Sequence, residues 1–337
     1  MELKALFCFY PLNVKYNHGI ALLSALCKQK GIQTELFMLD SLDDFRVRLQ
    51  DWPSDSVNFS VVTSKDYELS VPFMELARKQ GKIVMLGGTW TGLGHPICES
   101  VTRVCRGEGE RLPHFILQGD DLLFRESMVW ADLNSLPLPD YELFKGIPFD
   151  RGIPETNGKF CLPYYSSRGC PYPCRFCQIR YQPKFRVRTK VEEDLTEVVA
   201  RCHPEVLFIG DAQLPYFVPA WRESWGNFRH PFVAYIRADI KPDDLLWLID
   251  RGLIGCAFGV ESGDEKYRNE VLKKGLSDGD LWRTVDSLKR SGVWYVPFFM
   301  THTPEESFSQ RTKTVQMAER IGGRPFIWKY EELSSWQ

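Results

Sequence analysis

Three cysteines lie close together near the middle of the chain, and their spacing suits a soft metal centre. Cys170, Cys174 and Cys177 follow one another at intervals of four and three residues, with Pro171 and Pro173 between them. The prolines prevent a regular helix, so the segment must form a loop. Thiolates in such a loop can converge on one centre while a coordination position stays open. The segment therefore predicts an iron-sulfur site.

A structural zinc site is the alternative for the same thiols, with Cys161 or Cys202 as the fourth ligand. Zinc ribbons usually pair two knuckles, in each of which two residues separate the cysteines. The sequence contains no second knuckle of that kind. The iron-sulfur interpretation is favoured on this ground, and the zinc interpretation stays open.

The cysteine loop resembles the signature of the radical S-adenosylmethionine (SAM) enzymes, because Ser167-Arg168-Gly169 precedes it and Phe176 stands directly before the last thiol. The resemblance implies that Cys170, Cys174 and Cys177 bind three irons of a [4Fe-4S] cluster and that SAM chelates the fourth. It also implies that the cluster passes one electron to the sulfonium of SAM. It further implies that the 5'-deoxyadenosyl radical released in this way abstracts hydrogen from an unactivated carbon.

Segments that follow predicted strands of the C-terminal half match further positions of this family. Gly210 and Asp211 stand where relatives carry an acidic segment that holds the methionyl amine of SAM. Arg237 and Glu261 follow the next two strands, and the resemblance implies that Glu261, with Ser262 beside it, lies near the ribose and methionyl region. The alternative for each residue is structural, since carboxylates and arginines at strand ends are often solvated or paired with one another.

His302 occupies a position where relatives usually carry glycine, directly after the fifth predicted strand of this half. An imidazole at a strand end can accept a proton near neutral pH. We therefore name His302 as a candidate catalytic base, with an incidental surface histidine as the alternative.

A glycine-rich loop follows the fourth predicted strand of the N-terminal half, with four glycines between residues 87 and 94. Glycine lets the backbone approach a bulky ligand closely. Together with Thr63-Ser64 after the third strand and a Gly-Glu-Gly-Glu run at 107–110, the loop resembles the cobalamin-binding domain fused ahead of some radical SAM enzymes. The resemblance implies that five residues line the nucleotide tail or corrin edge: Thr63, Ser64, Gly87, Gly88 and Thr89.

The histidine motif that supplies a cobalt ligand in other cobalamin proteins, Asp-x-His-x-x-Gly, is absent from the sequence. His18 and His95 are therefore not assigned as axial ligands. Trp90 has two open interpretations, stacking on a flat macrocycle or covering the edge of the sheet. A domain that keeps this fold but has lost cobalamin is a further alternative.

Regular elements must hold these loops in place, and the hydrophobic pattern predicts them. From residue 4 onward, short apolar runs alternate with amphipathic stretches, as in α/β proteins whose parallel strands are covered by helices. Residues 1–125 are predicted to form a doubly wound, flavodoxin-like domain of five strands, with its ligand beyond their carboxyl ends. Dense prolines predict an extended connector over 126–159. Residues 160–337 are predicted to form a partial (β/α)6 barrel, the fold that the radical SAM resemblance also implies.

The amino-acid composition argues against some classes of binding partner and predicts where the protein is found. Basic and acidic side chains number 42 and 44 among 337 residues, so no strong field draws the protein to nucleic acid. Ten scattered cysteines, no export signal and no apolar run of membrane length predict a cytoplasmic protein. The resemblance implies an electron donor such as flavodoxin or ferredoxin. Because the chain ends soon after the sixth barrel strand, we expect the substrate or a partner to close the barrel mouth.

The function predicted from these features is that of a cobalamin-dependent radical SAM methyltransferase acting on an unactivated carbon. A cyclase or rearrangement enzyme with the same cofactors is one alternative, and a radical enzyme without cobalamin is another. A non-catalytic cobalamin-binding protein is a third, which the intact cysteine loop disfavours. The substrate is left open as a small molecule, a peptide or a carrier-bound intermediate.

Overall fold

Alternating strands and helices form two parallel sheets in the computed structural model, which describes residues 3–11, 16–93, 95–118, 131–147, 158–177 and 185–330. The chain divides into two units, Met1–Phe149 and Asp150–Gln337, and each unit contains one of the two sheets. No described helix is long and apolar enough to cross a membrane.

The first unit is a five-stranded parallel sheet with helices between its strands. Its strands are β1 (Lys4–Phe9), β2 (Gln33–Met38), β3 (Ser56–Ser60), β4 (Ile83–Gly87) and β5 (Arg103–Val104). Its helices are α1 (His18–Gln29), α2 (Leu42–Asp51), α3 (Ser64–Lys79) and α4 (Leu112–Gln118). The strand order is β2-β1-β3-β4-β5, which is the flavodoxin-like order. The predicted doubly wound fold is therefore confirmed.

Both faces of this sheet are buried, as the near-continuous apolar strands require. Phe7 packs on one face with residues of α1 and α4, and Leu6 packs on the other with residues of α2 and α3. This alternation fixes the register of β1, since a slip by one residue would exchange the two faces. The loops at the carboxyl ends of β3 and β4 are thereby held next to each other.

Residues 131–147 belong to the first unit and pack against its other elements, where the sequence predicted an extended connector. They contain two short 3-10 helices, Leu133–Ser135 and Tyr141–Phe144. Phe144 is buried against Phe9 and Tyr16, and Asp140 accepts a hydrogen bond from Ser24 at 2.5 Å. Proline prevents an α-helix here, but it does not prevent these apolar side chains from packing into the core. The predicted boundary at residue 125 lies outside the described residues.

The second unit is a six-stranded parallel sheet whose strand order follows the chain. Its strands are β6 (Cys161–Tyr164), β9 (Val206–Ile209), β10 (Phe232–Tyr235), β11 (Leu253–Glu261), β12 (Trp294–Thr301) and β13 (Phe326–Lys329), with a small hairpin formed by β7 (Ser167–Arg168) and β8 (Arg186–Val187). The sheet order is β13-β12-β11-β10-β9-β6. This arrangement confirms the partial (β/α)6 barrel.

Six helices connect these strands: α5 (Val191–Cys202), α6 (Pro219–Trp225), α7 (Pro242–Asp250), α8 (Glu265–Glu270), α9 (Asp278–Ser291) and α10 (Phe308–Ile321). Side chains cap several of them, since Ser277 accepts a hydrogen bond at the start of α9 and Ser307 does so at the start of α10. Because every strand runs in the same direction, the loops that follow β6 and β9 to β12 meet at one end of the sheet.

Candidate active site

The cysteine loop follows the β6 segment and is anchored by backbone hydrogen bonds. The amide of Arg175 donates to the carbonyl of Leu272 at 2.9 Å, and the amide of Cys177 donates to the carbonyl of Cys174 at 3.1 Å. The Cys174 side chain is buried, whereas Cys170 and Cys177 are half-buried. The three thiols therefore lie in a loop that is tied to the chain following β11.

Asp211 fixes the start of this loop from the neighbouring strand end. Its carboxylate accepts hydrogen bonds from the amides of Ser166 and Ser167, at 2.8 and 2.7 Å, and another from the Ser166 hydroxyl. The Trp221 indole donates to the same hydroxyl at 2.8 Å. Burial raises the pKa of the Asp211 carboxyl to about 6, while its hydrogen bonds act in the opposite direction.

The predicted contact between Asp211 and the methionyl amine of SAM stays a prediction, beside the contacts that the carboxylate makes within the chain. Both carboxylate oxygens are engaged by Ser166 and Ser167, and the side chain is buried. An ionised carboxylate can accept about four hydrogen bonds, and Asp211 accepts three from the two amides and the one hydroxyl of the adjoining segment. From these contacts we expect Asp211 to have a positioning role for the segment that leads into the cysteine loop.

Replacing Asp211 with alanine should destabilise the protein by about 3 kcal/mol, because buried donors left without an acceptor cost roughly 1–3 kcal/mol each. Asp211→Asn keeps one carbonyl oxygen for the two amides and should lose much less. Denaturant unfolding of both variants measures this difference. Equal stability of the alanine variant and the wild type would contradict the positioning role.

The free energy of unfolding should depend on pH through the ionisation of Asp211. A folded-state pKa near 6 exceeds the ordinary aspartate value, so between about pH 4 and pH 6 the folded protein binds more protons than the unfolded chain. The contribution of Asp211 to stability therefore falls as pH rises through this window. Unfolding curves collected across it should show this loss in the wild type and not in Asp211→Asn.

A buried ion pair lies at the end of β11. Lys274 donates to the Glu261 carboxylate at 2.9 Å, and the two side chains are only 11% and 9% exposed. Glu261 adopts a left-handed backbone conformation with φ of 70°, next to a bulge in β11. A Cβ atom on Gly259 would meet the Glu261 carboxylate at 1.8 Å, so a side chain there would displace the ion pair. The strand end is thus built to hold this ion pair over its own backbone.

Arg237 forms a second paired group after β10. Its guanidinium donates to Asp239 at 3.0 Å and to the carbonyls of Lys274 and Gly275 at 2.9 and 3.1 Å. It also lies 3.9 Å from the ring centroid of Tyr172 in the cysteine loop. Arg237 therefore links the cysteine loop to the segment that carries Lys274.

These cations shape the electrostatics of the cysteine loop. The Lys274 ammonium lies 5.8 Å from the ring centroid of Phe176. Burial raises the pKa of the Cys174 thiol, and the charges of Lys274 and Arg237 act to lower it. The two cations thus partly offset the effect of burial on the Cys174 thiol, whose thiolate is the form that binds iron. Sequence reasoning had not identified Lys274, since it stands in a loop far from any predicted strand end.

Ser262 belongs to the structural support of this end of the barrel. Its hydroxyl lies 3.3 Å from the Thr314 hydroxyl, and its carbonyl accepts from Arg268 at 2.9 Å. Arg268 is fully buried and also donates to the Leu276 carbonyl and to Asp278. The predicted contact between Ser262 and SAM stays a prediction. Arg268 is a buried structural residue that the sequence analysis did not identify.

His302 lies on the exposed turn after β12, in a left-handed conformation with φ of 62°. Its amide donates to Glu306 at 2.5 Å, and its Nδ1 lies 3.1 Å from the Thr301 hydroxyl. Glycine suits such a backbone better than histidine does. The described contacts of His302 are made within this turn, and its role as a base stays a prediction.

In the first unit, the residues predicted to line cobalamin stand on adjoining loops after β3 and β4. Thr63 caps α3 through the amide of Asp66, and Ser64 accepts from the Trp90 indole at 3.1 Å. Gly87 ends β4, and Ser64, Gly88 and Thr89 are exposed. The surface of these loops is thus open, while their undersides are used for packing.

Trp90 is buried beneath this surface. Its ring stacks on Tyr67 at 4.0 Å and on His95 at 5.0 Å between centroids. The two faces of the indole are therefore covered by protein side chains. Of the two interpretations left open, the structure supports the one in which Trp90 covers the sheet.

Gly88 is expected to tolerate no side chain. Its φ is 103°, and a Cβ atom would meet the Val61 carbonyl oxygen at 2.1 Å. Gly88→Ala should therefore destabilise the protein by about 1–3 kcal/mol, whereas Gly92→Ala, which meets open space, should change stability by less than about 0.5 kcal/mol. Thermal unfolding of both variants tests this contrast, and equal melting temperatures would contradict it.

Residues 164–318, which contain the cysteine loop and the strand ends just described, match the family model of the radical SAM superfamily. These residues belong to the radical SAM superfamily. The family prediction made from the cysteine loop is therefore confirmed.

Relatives of this chain include the protein named Uncharacterized protein MJ0966 from Methanocaldococcus jannaschii, 28% identical over 166 residues. That segment covers 46% of this chain and 36% of the relative, so the match concerns about a third of that protein.

Two solved structures resemble the whole chain in fold. The radical SAM methyltransferase TsrM from Kitasatospora setae, with cobalamin and a [4Fe-4S] cluster bound, is 13% identical with a TM-score of 0.76, over 98% of this chain and 75% of that one. The cobalamin-dependent SAM radical enzyme OxsB is 17% identical with a TM-score of 0.70, over 95% of this chain and 52% of that one. At such identities the likeness shows the fold, and this chain spans about half the length of OxsB.

The donor set of the radical SAM loop fits a cluster better than a single ion. Each of the three thiols can bind a separate iron of a cluster, whereas a structural zinc ion needs a fourth protein ligand. Cys161 begins β6 and Cys202 ends α5 just before β9, so both lie at the amino ends of the strands, away from the cysteine loop. Neither is placed to complete the zinc site.

Proposed function

We propose that this radical SAM enzyme is a cobalamin-dependent methyltransferase that acts on an unactivated carbon. The observation that carries the radical chemistry is the contact between the cysteine loop and the two paired cations. Lys274 reaches both Glu261 and the Phe176 ring, and Arg237 reaches both Asp239 and the Tyr172 ring. Thiols, carboxylates and cations from separate strand ends thus meet at one place.

Cys170, Cys174 and Cys177 would hold the [4Fe-4S] cluster, which when bound supplies one electron to the sulfonium of SAM. Glu261 and Arg237 would orient SAM beside it, because their charges are already fixed by Lys274 and Asp239. Groups held in place before the ligand arrives lose little free energy on binding. Asp211 would keep the cysteine loop in position through Ser166 and Ser167.

Cobalamin would lie over the exposed loops of the first unit, at the carboxyl ends of β3 and β4. Thr63, Ser64, Gly87, Gly88 and Thr89 would contact it, and Trp90 would support the loops from beneath. In a doubly wound sheet of this strand order, ligands bind beyond the carboxyl ends of the strands. The similarity in fold to TsrM and OxsB supports the same placement, and cobalamin when bound would supply the methyl group.

The products formed from SAM distinguish the two reactions. Methyl transfer yields S-adenosylhomocysteine, and radical formation yields deoxyadenosine. The protein is purified without oxygen, reconstituted with iron, sulfide and cobalamin, and incubated with SAM and a low-potential reductant such as reduced flavodoxin. We expect S-adenosylhomocysteine only when cobalamin is present. Deoxyadenosine without S-adenosylhomocysteine would instead support a cyclase or rearrangement enzyme. An absence of both products would overturn the proposal.

A further inference from the structure

Aromatic side chains from four barrel strands form a continuous row in the second unit. Neighbouring ring centroids lie 5.5 Å apart for Phe208 and Tyr235, 6.4 Å for Tyr235 and Phe298, 5.6 Å for Phe298 and Trp328, and 4.5 Å for Trp328 and Phe326. These are separations at which rings attract one another in tilted or edge-to-face arrangements. We call Phe208, Tyr235, Phe298, Phe326 and Trp328 the aromatic row.

The row passes over β11 because the residues of that strand that lie beside the rings, Ala257 and Gly259, are small. Tyr235 of β10 is in register with Ala257, and Phe298 of β12 is in register with Gly259. Strands in a sheet lie about 4.8 Å apart, so larger side chains on β11 would separate the two rings. The small residues of β11 therefore allow the ring centroids of Tyr235 and Phe298 to lie 6.4 Å apart across that strand.

The row lies on the face of the sheet that is turned away from the covering helices. On β12, the Tyr295 hydroxyl donates to the Ile321 carbonyl of α10 at 3.0 Å. Successive side chains of a strand alternate between faces, so Phe298, three residues later, points to the opposite side. That side is the concave face of the partial barrel.

The row also adjoins the candidate active site. A Cβ atom on Gly259, the register partner of Phe298, would contact both the Glu261 carboxylate and the Lys274 ammonium, at 1.8 and 2.7 Å. Lys274 in turn reaches the Phe176 ring of the cysteine loop. The aromatic row therefore begins within one strand of the groups assigned to SAM.

The accessibility of the row increases from one end to the other. Phe208 is 1% exposed, Tyr235 and Phe298 are half-buried, and Phe326 and Trp328 on the edge strand β13 are 49% and 48% exposed. The charged groups beside the row, Glu261 with Lys274 and Arg237 with Asp239, are paired with each other. The open part thus presents aromatic faces and edges, next to charges that are already neutralised.

We propose that the aromatic row binds the substrate, and that the substrate is a planar aromatic compound without charge on its ring system. This inference rests on the proposed function, because it takes the concave face as the place of reaction. Aromatic pairs gain attraction beyond the area that they bury, which a saturated ring of the same size does not. A flat ring inserted beside Phe298 and Trp328 would extend the row and lie within one strand of the SAM groups.

The test compares two uncharged probes of the same skeleton, naphthaleneethanol and decahydronaphthaleneethanol. Binding to the reconstituted full chain with SAM is measured by equilibrium dialysis without reductant, so that no turnover occurs. We expect the aromatic probe to bind about tenfold more tightly than the saturated one. Trp328→Leu should weaken the aromatic probe about fivefold and change the saturated probe less than about twofold.

Phe308→Leu provides the matched control, because Phe308 is 79% exposed at the start of α10 and lies outside the row. It should leave both affinities unchanged. Phe326→Leu is the second row variant, and iron content and thermal unfolding confirm that each variant is folded. Equal affinities for the two probes, or unchanged affinity for the aromatic probe in both row variants, would overturn the inference. Since binding is measured without turnover, a failed S-adenosylhomocysteine assay would refute only the methyltransferase proposal.

Discussion

Replacing Cys174 with alanine should remove the iron from the reconstituted protein, from about four irons per chain to fewer than one. Cys174 is the buried thiol of the loop, and its neighbours Arg175 and Cys177 tie the loop in place. Loss of one of three protein ligands leaves the cluster open to hydrolysis and loss. Metal analysis and the visible absorption of the anaerobic protein measure the change, and deoxyadenosine formation should disappear with the iron.

Cys202→Ser is the control for this experiment. Cys202 ends α5 at the amino ends of the strands, so its replacement should leave the iron content unchanged. The pair of variants also distinguishes the two metal interpretations. Zinc in place of iron, lost from both variants, would refute the iron-sulfur centre, and iron retained in Cys174→Ala would refute the assignment of this ligand.

Replacing Lys274 with methionine should destabilise the protein by about 3–5 kcal/mol, because the buried Glu261 carboxylate loses its cation. The double variant Glu261→Gln/Lys274→Met removes both charges and should recover most of this loss. Denaturant unfolding gives the three free energies, and their non-additivity measures the coupling. If Glu261 orients SAM, the folded double variant should still bind SAM about tenfold more weakly than the wild type.

An exposed ion pair serves as the comparison. Lys266 lies 4.0 Å from Glu270, with side chains 80% and 65% exposed, so Lys266→Met should cost less than about 1 kcal/mol. Equal costs for Lys266→Met and Lys274→Met would show that burial adds nothing to the Glu261 pair. Unchanged SAM affinity in the double variant would show that Glu261 does not contact SAM.

The sheet topology was predictable because parallel strands buried on both faces are apolar along their length. Strand β10 at Phe232–Tyr235 is an apolar run of this kind, and helix α7 at Pro242–Asp250 follows it as an amphipathic stretch. Glycine, proline and aspartate mark where such runs stop. The carboxyl ends, and with them the positions of Arg237 and Glu261, followed from the same pattern.

The direction in which a side chain points could not be predicted in this way. Asp211 was correctly placed at a strand end, but only the fold shows that its carboxylate turns back to Ser166 and Ser167. Lys274 carries no periodic signal, since its importance comes from a contact with Glu261, thirteen positions earlier in the chain. Pairings of this kind depend on tertiary structure, which local pattern does not report.

The packing of residues 131–147 determines where the chain can be divided for separate study. Asp140 accepts from Ser24 and pairs with Lys28 of α1 at 2.7 Å, and Phe144 covers Phe9. A fragment that ended at residue 125 would expose this apolar surface to water and would be prone to aggregate. A fragment that extends through Ile147 retains the residues that bury this apolar surface. The first unit should therefore be expressed alone as that longer fragment.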